Sequence, residues 1–434
     1  MDAPLIGLIG IVILFVLLFL KVPIGFSMAL VGFGGFAILR SFDGAIGLLG
    51  TVPFRLVSDY TIAVLPLFML MGTIAANTGI SRDLYTTAHT WVGQFRGGLS
   101  MATVLAAGGF AAITGSSLAG ATAMGKIVAP EMRRYNYDPR LAAGSVAAGG
   151  TMGILIPPSV AFILYAMLTE QSIGRLFMAG VFPGLGEIIF YIGVIILLCQ
   201  INPLMGPAGP KTSFKTKLTS LRGTWAMLTL FFLVMGGIYL GIFTATEAGG
   251  IGAAGAIVIT LTSRKLSREG FINSATETAH ITATVLIILI GAFIFSSFLA
   301  ISKLPFMLAE TVANFALPSH GILIMILIVY LILGCFFTIV PTMVLTIPIF
   351  FPVIISLGLD PIWYGVLMVR MMEIGMITPP IGINCFVLSK VMDVPLGTVF
   401  RGVAPFVIAD ILLVALLVAF PQISLFLPNT MMGG

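Results

Sequence analysis

Two adjacent prolines occur twice in this chain, each time inside an apolar stretch and shortly after a glycine. The first pair lies in GGTMGILIPPS, residues 149–159, and the second in EIGMITPPIGIN, residues 373–384. Proline has no N–H, so Pro157 leaves the carbonyl of Gly153, four residues back, without its helical partner. Free carbonyls inside a membrane are suitable ligands for a small cation such as Na⁺. The alternative is a proline kink whose carbonyls are satisfied by neighbouring helices.

Arg370 and Glu373 are the second chemical feature, because both lie in the apolar run WYGVLMVRMMEIGM. They are three residues apart and therefore share a helical face. Burying either charge costs several kcal/mol unless it is paired or hydrated. One interpretation is an internal Arg–Glu pair. The other is that the guanidinium binds a substrate carboxylate, for which its two-pronged geometry is suited.

Composition indicates that these features lie in a membrane. Of 434 residues, 59% are hydrophobic and 9% are charged, and the mean hydropathy is +1.15. About a quarter of a typical soluble sequence is charged, so a soluble protein of this length could not bury so much apolar surface. Repeated stretches of about 20 apolar residues predict an all-α polytopic membrane protein with roughly 10–12 membrane segments. We interpret the first, residues 4–20, as a retained helix, since it lacks a basic start and a cleavage site.

Several functions are disfavoured by residues that are scattered or missing. The three cysteines and three histidines are isolated, which indicates neither a disulfide framework nor a zinc site. The sequence contains no P-loop lysine motif, which argues against an ATP-driven pump. The net charge of +5 lies mostly in short loops beside apolar spans, and the positive-inside rule explains this pattern without a nucleic-acid partner.

The same basic loops predict the orientation. Residues 203–223 and 263–270 are rich in Lys and Arg, and the apolar segment between them is long enough for two crossings. Both loops can then be cytoplasmic. When the side of the membrane is alternated at each predicted crossing from these loops towards both ends, the N-terminus lies outside and most of the 21 basic residues lie inside. Lys126 and Arg370 fall within the membrane.

A shift of 222 residues aligns two parts of the chain without a gap. Three full crossings separate the copies, so the second copy is inverted relative to the first. Inverted repeats with interrupted helices at matching positions point to the binding site of a secondary transporter. The matched positions are Pro130 with Pro352, Asp138-Pro139 with Asp360-Pro361, Gly153 with Gly375, Pro157-Pro158 with Pro379-Pro380, Gly180 with Gly402, and Pro183 with Pro405.

An irregular polar stretch precedes each broken helix. In the first copy, residues 114–117 (TGSS) lie between two apolar arms that are each short for a crossing. In the second copy, Thr338 and Thr342 flank Pro341. A re-entrant hairpin fits both stretches, with its tip close to the broken helix. The alternative is that these hydroxyls only cap helices or bond back to carbonyls.

Four motifs stand out along the chain: ITGSSLAGATAMG at 113–125, GGTMGILIPPS at 149–159, YLGIFTATEAGGIGA at 239–253 and EIGMITPPIGIN at 373–384. Together they resemble the large membrane (M) subunit of the tripartite ATP-independent periplasmic (TRAP) transporters, and the resemblance covers nearly the whole chain. The resemblance implies an inverted-repeat elevator-type fold with two re-entrant hairpins and two broken helices. It implies Na⁺-coupled uptake of a small organic anion, a carboxylate or sugar acid, and no enzymatic activity.

The resemblance also implies partners and a location. A periplasmic substrate-binding protein would deliver the anion, and a separate small four-helix membrane subunit would complete the transporter in the bacterial inner membrane. We expect N-terminal scaffold helices in 1–96 and the first transport repeat in 97–202. We expect a basic cytoplasmic loop with connecting helices in 203–318, and the inverted second repeat in 319–426.

The expected site residues follow the motifs. The first Na⁺ site would use Thr114, Ser116, Gly153, Ile156 and Pro158, and a second would use Gly375, Thr378 and Pro380. The candidate substrate ligands are Arg370, Ser116, Ser117, Thr342 and Asn384.

Other functions remain open on sequence grounds. The main alternative is a self-sufficient Na⁺/dicarboxylate symporter that works without a binding protein. That class usually carries Ser-Asn-Thr signatures at the hairpin tips, and none appears here. An intramembrane hydrolase would need a base in register with Ser116, and no such motif is present. A passive channel is the third alternative, although two matched cation sites suit coupling better than conduction.

Overall fold

The regular elements of this chain are helices, as its apolar periodicity predicts. The computed structural model describes residues 2–313 and 318–431, and within them we find no strand. The prediction of an all-α polytopic membrane protein is therefore confirmed. The helices are α1 (Ala3–Phe19), α2 (Ile24–Leu39), α3 (Phe42–Ser58), α4 (Val64–Asn77), α5 (Ile80–Val92), α6 (Gly98–Thr114), α7 (Ser117–Arg134), α8 (Pro139–Leu155), α9 (Val160–Thr169), α10 (Ile173–Ile201), α11 (Phe214–Ser220), α12 (Trp225–Tyr239), α13 (Ala245–Thr262), α14 (Arg268–Ser302), α15 (Leu304–Ala313), α16 (Ser319–Phe336), α17 (Ile339–Ser356), α18 (Pro361–Ile377), α19 (Ile383–Met392), α20 (Leu396–Ala419) and α21 (Gln422–Thr430).

The long apolar helices are fewer than the membrane segments that the sequence predicts. Among the described residues, eight helical segments are long and apolar enough to cross a membrane, or nine when one bent pair, 214–223 with 228–239, counts as a span. Four more apolar helices, α1, α2, α6 and α19, have 10–17 residues. Two of these, α6 and α19, are short because they are parts of interrupted elements rather than full crossings.

Two helical hairpins lie at the positions that the sequence predicts. In the first, α6 ends at Thr114 and α7 begins at Ser117, and the two arms contact each other. The turn uses Gly115 at φ +60°, a left-handed conformation that glycine adopts without strain. In the second, α16 ends at Phe336 and α17 begins two residues after Phe337. Both breaks interrupt otherwise apolar sequence, so each hairpin has a short polar tip.

The two broken helices have the same construction. Helix α8 ends at Leu155 and α18 at Ile377, and a Pro-Pro pair follows each end after one residue. Each helix also begins in the same way, with an aspartate cap and a proline in the first turn. Asp138 accepts a hydrogen bond from the Arg140 amide at 2.8 Å, and Asp360 accepts one from Ile362 at 2.8 Å. An N-cap carboxylate satisfies amides that have no helical partner, which defines where these helices start.

Small residues allow the two repeats to interlock. A Cβ on Gly144 of α8 would lie 2.2 Å from the carbonyl oxygen of Gly402 in α20. A Cβ on Gly402 would lie 2.0 Å from the Arg140 carbonyl oxygen. Only glycine permits such backbone contact, and close approach is how membrane helices gain packing energy. A repeat 1 helix and a repeat 2 helix therefore belong to one packed body.

The N-terminal helices form a second, smaller core. Helices α1 and α2 pack on α14 around Leu14, Met28 and Phe298. A Cβ on Gly291 of α14 would lie 2.1 Å from the Gly25 carbonyl oxygen of α2. Val344 and Leu345 of the second hairpin also belong to this core, whereas most hairpin and broken-helix residues lie in the main one.

Candidate substrate and cation site

A cavity of about 210 Å³ lies between the two hairpin tips. Residues 115–118 of the first tip and 338–340 of the second both line it. The broken helices contribute further walls, and helices α4 and α14 close another side. The tips of two hairpins that are far apart in sequence therefore meet at one place. The other lining residues are Met69, Ile154, Val160, Ala161, Ile281, Val285 and Met376.

Hydroxyl groups provide the polar side chains of this cavity. Ser116 and Ser117 line it from the first tip, and Thr338 lines it from the second. Ser117 is buried and Thr338 is exposed. A mostly apolar wall with a few convergent polar groups is the usual form of a small-molecule site. Two of the candidate substrate ligands, Ser116 and Ser117, are thus at the cavity.

The first tip contacts the first broken helix through backbone atoms. A Cβ on Gly153 would lie 2.8 Å from the Ser116 carbonyl oxygen, and a Cβ on Gly115 would lie 2.8 Å from that of Pro158. Glycine at both positions makes the approach possible, because any side chain would collide with the facing carbonyl. The predicted residues Ser116, Gly153 and Pro158 are therefore brought together.

Free carbonyls accompany this contact. Within the described residues, no donor reaches the carbonyl oxygens of Gly153 and Ile154 beyond the end of α8, because the residues that would supply it are prolines. Ile156 has left the helix and is extended. Gly153, Ile154 and Ile156 are all buried. A buried carbonyl without a partner costs about 1–3 kcal/mol, so a bound cation would stabilise this arrangement.

The hydroxyls at the first tip keep lone pairs available. Thr114 Oγ1 donates back to the Phe110 carbonyl at 3.1 Å. Ser116 Oγ caps α7 by accepting from the Ala119 amide at 3.5 Å. A hydroxyl oxygen has two lone pairs, so each can also coordinate a cation. The residues present thus fit a Na⁺ ion held by carbonyl and hydroxyl oxygens.

The second copy differs from this arrangement. The Gly375 carbonyl is not free, because the Thr378 amide donates to it at 3.0 Å in a tightened last turn. Thr378 Oγ1 donates to the Ile374 carbonyl at 2.6 Å. Pro379 and Pro380 are exposed, whereas the equivalent prolines of the first copy are buried. A three-residue turn replaces the bond that the prolines remove.

Gly375 also contacts a different part of its hairpin. The atoms nearest to a Cβ on Gly375 belong to Gly334 and Leu331 of α16, at 2.6 Å. These residues precede the second tip, whereas Gly153 meets the first tip itself. In this conformation the oxygen cluster is therefore assembled at the first break and not at the second.

Arg370 lies away from the cavity, in a cluster of four charged residues. Its Nη1 is 2.8 Å from Glu187 Oε1 and 2.9 Å from Glu373 Oε2, and its Nη2 contacts Asp410 Oδ1. We call Arg370, Glu187, Glu373 and Asp410 the Arg370 cluster. Their side chains are at most 1% exposed. The structure thus contains the internal Arg–Glu pair and does not bring the guanidinium to the substrate cavity.

The two remaining candidate ligands are also buried outside the cavity lining. Thr342 Oγ1 donates to the Thr338 carbonyl at 3.0 Å, which uses its hydrogen within α17. Asn384 is fully buried in α19, and its amide nitrogen and oxygen have no partner among the described residues. Neither residue belongs to the cavity wall.

Sequence reasoning missed two groups of residues. Met69, Ile281 and Val285 line the cavity from α4 and α14, and no motif distinguishes them from other apolar helix residues. Glu187 and Asp410 are the unrecognised partners of Arg370. A signal for them existed, because carboxylates inside apolar helices almost always have a partner.

The carbonyl and hydroxyl oxygens at the first break favour one class of metal ion. Among the described residues, no group of three or more His, Cys, Asp or Glu could hold a metal ion. Neutral carbonyl and hydroxyl oxygens favour hard cations over transition metals. The chemistry of the site is therefore that of a small cation next to a cavity for an organic molecule.

Comparison with known proteins identifies the family. The sequence model described as "Tripartite ATP-independent periplasmic transporter, DctM component" matches residues 11–423. The chain belongs to this family. A C4-dicarboxylate TRAP transporter large permease, DctM of Pseudomonas aeruginosa, is 37% identical over 397 residues, which cover 91% of this chain and 92% of that one. The sialic acid TRAP transporter large permease SiaM of Vibrio cholerae is 32% identical over 418 residues, covering 96% and 97%.

A solved structure resembles the fold. The crystal structure of the Alcanivorax borkumensis YdaH transporter, described as having an unusual topology, aligns with a TM-score of 0.65. The alignment covers 88% of this chain and 89% of that one at 15% identity. The prediction that the chain is a TRAP large subunit is confirmed, and the chain is a membrane transporter permease. The relatives carry the names of transporters, not of enzymes.

Proposed function

We propose that this chain is the large permease of a Na⁺-coupled TRAP transporter that takes up a small organic anion by an elevator mechanism. The cavity between the two hairpin tips is the observation that carries the proposal. It places hydroxyls from both repeats around one space and lies next to the oxygen cluster at the first break. C4-dicarboxylates and sialic acid, named for the two relatives, make a carboxylate the first substrate class to test.

Na⁺ coupling is supported by the geometry at Gly153. The buried carbonyls of Gly153 and Ile154 lie beside the tip that carries Ser116 and Ser117. A cation bound there would hold the first tip in the shape that lines the cavity. Substrate and Na⁺ would then bind more tightly together than separately, and such linkage is what coupled transport requires.

The elevator mechanism is supported by how the helices group. The hairpins and broken helices of both repeats pack on each other in the main core, whereas α1 and α2 pack on α14 in a smaller core that Val344 and Leu345 of α17 also join. On the side towards the cavity, α4 and α14 present Met69, Ile281 and Val285. An apolar wall makes no directional hydrogen bond, so one group could slide past the other without breaking one.

The remaining expectations concern partners and location. We propose that a periplasmic binding protein delivers the anion, that a separate small four-helix membrane subunit docks on the scaffold helices, and that the complex lies in the bacterial inner membrane with the N-terminus outside. The family description supports partners, because it names this chain as one component of a tripartite transporter. Exposed apolar side chains such as Leu8, Phe26 and Phe54 on α1 to α3 supply surface for lipid or a helical subunit.

Uptake into proteoliposomes tests the proposal. The permease with its small subunit is reconstituted, and a panel of C4-dicarboxylates and sialic acid is offered with the binding protein outside. We expect uptake only with a Na⁺ gradient, and none with K⁺ or choline. Na⁺-independent uptake would contradict the coupling and leave the family assignment intact.

Omitting the binding protein separates the two transporter classes. A TRAP permease should lose uptake of the same anion, because delivery is missing. Full uptake without it would favour the self-sufficient symporter. Adding the binding protein back is the matched control, since it changes neither the membrane nor the gradient.

A further inference from the structure

The Arg370 cluster contains more negative than positive charge. One guanidinium faces three carboxyl groups, so the fully ionised cluster would have a net charge of −2. Glu187 Oε1 and Glu373 Oε2 lie 2.8 and 2.9 Å from the same nitrogen and therefore at most 5.7 Å apart. Like charges so close in a dry interior repel strongly, and buried charge without compensation costs several kcal/mol.

Asp410 is the carboxyl group whose ionised form is best satisfied. Its Oδ1 accepts from Arg370 Nη2, and its Oδ2 accepts from the Tyr191 hydroxyl at 3.0 Å. The Tyr191 oxygen in turn accepts from Arg370 Nη2 at 3.2 Å. Both oxygens of Asp410 therefore face donors, as a carboxylate requires. Asp410 is the anion that neutralises Arg370.

Glu187 and Glu373 are less well satisfied. Glu187 Oε1 lies 2.8 Å from Arg370 Nη1, with a longer hydrogen bond from Thr151 Oγ1 at 3.5 Å, and Glu373 Oε2 lies 2.9 Å from the same Nη1. The second oxygen of each carboxyl group, Glu187 Oε2 and Glu373 Oε1, is buried without a partner among the described residues. Two carboxyl groups that share one donor nitrogen in this way are better satisfied when one of them carries a proton.

Other charged groups do not change this balance. Within the described residues, Glu187 has an ion pair only with Arg370, and the arginines on α8, the start of α10 and α20 do not pair with the cluster. No group of acids there could hold a metal ion. The titratable groups on α10 and the helices that pack against it are Arg175, Glu187, Tyr191 and Cys199 on α10, Arg140 on α8, Tyr165 on α9, Tyr239 on α12, Tyr364, Arg370 and Glu373 on α18, and Arg401 and Asp410 on α20.

We propose that Glu187 and Glu373 form a buried proton-binding site, a carboxyl pair that keeps one proton in the folded transporter. The proton lowers the excess charge of the cluster and allows Arg370 of α18 to hold α10 and α20 together. Helix α10 lies in the range of the first repeat, and α18 and α20 lie in that of the second. The protonated carboxyl group therefore belongs to a set of contacts that joins the two repeats into one body, and this body moves as a unit in the proposed mechanism. The site is sealed from solvent, so its proton stays with that body.

Two substitutions by amides, one at Glu187 and one at Asp410, test the proposal when their effects on stability are compared. Glu187→Gln replaces one acid of the pair by a neutral group of the same shape and leaves Glu373 as the single anion, whereas Asp410→Asn removes a charge that Arg370 needs. We expect the melting temperature of the purified membrane complex to be unchanged for Glu187→Gln and clearly lowered for Asp410→Asn. An equal or larger loss for Glu187→Gln would overturn the proposal, because two ionised glutamates would then be as necessary as Asp410.

Infrared spectroscopy provides a readout that does not depend on variant stability. A protonated carboxyl group absorbs above the amide I band, and an ionised one does not. We expect this band in the wild-type protein and in Asp410→Asn, and its reduction in Glu187→Gln. Absence of the band from the wild-type protein would overturn the proposal whether or not either variant folds.

Discussion

Gly153 allows two backbone segments to meet because it has no side chain. Its α-carbon faces the Ser116 carbonyl so closely that a Cβ would lie 2.8 Å from the oxygen. The facing atoms belong to the backbone of a hairpin tip and cannot rotate away. Single residues of this kind decide whether carbonyls and hydroxyls can form one oxygen cluster.

Gly153→Ala should therefore abolish stabilisation by Na⁺. Ligand that binds only the folded state raises stability by about 2.7 kcal/mol at a hundredfold excess over its Kd. The measurement is thermal unfolding in NaCl compared with choline chloride. Wild-type protein should melt at a higher temperature in NaCl, and Gly153→Ala at the same temperature in both salts.

Gly193→Ala is the matched control for this substitution. Gly193 is also inside a helix, but a Cβ there would have no atom within 4 Å. Both changes improve helix propensity by up to about 1 kcal/mol, so propensity cannot explain a difference between them. A Na⁺ response that survives in Gly153→Ala would rule out a cation site at this contact.

Asp138 determines the start of the first broken helix and responds to pH. Its carboxylate accepts from the Arg140 side chain at 2.8 Å and from the Arg140 amide at 2.8 Å. The side-chain hydrogen bond from Arg140 is the main reason that the pKa of Asp138 is lowered. The stabilising contribution is thus complete above the ordinary aspartate pKa of about 3.9 and is lost as the pH falls through the lower value in the folded protein.

Asp138→Ala should lower stability at neutral pH by about 1 kcal/mol, the usual effect of losing an N-cap. The difference from wild type should stay constant at neutral pH and shrink only below about pH 4. Asp138→Asn keeps a capping oxygen and serves as the control. Thermal melts across this pH range are the measurement, and a difference that grows on acidification would contradict the assignment.

At the scale of elements, the two hairpins bring polar tips to one cavity. Each hairpin consists of two helical arms joined at a short break that carries hydroxyl residues. Since the arms of α6 and α7 pack on α8, the first tip has a rigid support. The second tip differs, because Thr338 is exposed and Gly375 contacts α16 before the tip. The two hairpins are thus repeat-related but not in equivalent arrangements.

Thr338→Cys should react with a small thiol reagent and be protected by substrate. The three native cysteines are buried, so the new thiol would react alone. Bound anion between the tips should slow labelling, because Thr338 lines the cavity. Ser263→Cys, in an exposed loop after α13, is the control and should react at one rate with or without substrate. Equal rates at Thr338→Cys in both conditions would exclude binding between the tips.

At the scale of the whole molecule, both repeats contribute to the main core, and the N-terminal helices form a smaller core with α14 and part of α17. Backbone contact between Gly144 and Gly402 and the salt bridge between Arg370 and Glu187 both join helices of different repeats. Motion within the joined body would expose buried glycine contacts or charges at high cost.

The orientation of the whole molecule is tested by labelling from each side of the membrane. Ser213→Cys, in the basic loop before α11, should react with an impermeant reagent only in inside-out vesicles. Asp2→Cys, before α1, should react only from the outside. Both positions are exposed. Labelling of the two positions from the same side would show that the count of crossings between them is wrong.

Much of the fold could be predicted from sequence because the bilayer restricts the choices. The length of an apolar run predicts a membrane helix, and Pro157-Pro158 after Gly153 predicts a break where that helix would otherwise continue. The inverted repeat then predicts a second break of the same kind. Local rules do not predict how the carbonyls that each proline pair leaves free are satisfied. At the second break, the Thr378 amide donates to the Gly375 carbonyl in a tighter turn.

The sequence by itself determined the membrane class, the positions of both breaks and the polar tips, since each depends on residue types close together in the chain. Only the tertiary structure decided which of these groups meet. It placed Ser116 at Gly153, left Thr342 and Asn384 out of the cavity wall, and gave Arg370 two carboxyl partners from distant helices besides its neighbour on α18. The physical reason is that a buried charge or carbonyl is satisfied by the groups that packing brings near it. Contacts between distant helices cannot be predicted from the residues of one segment.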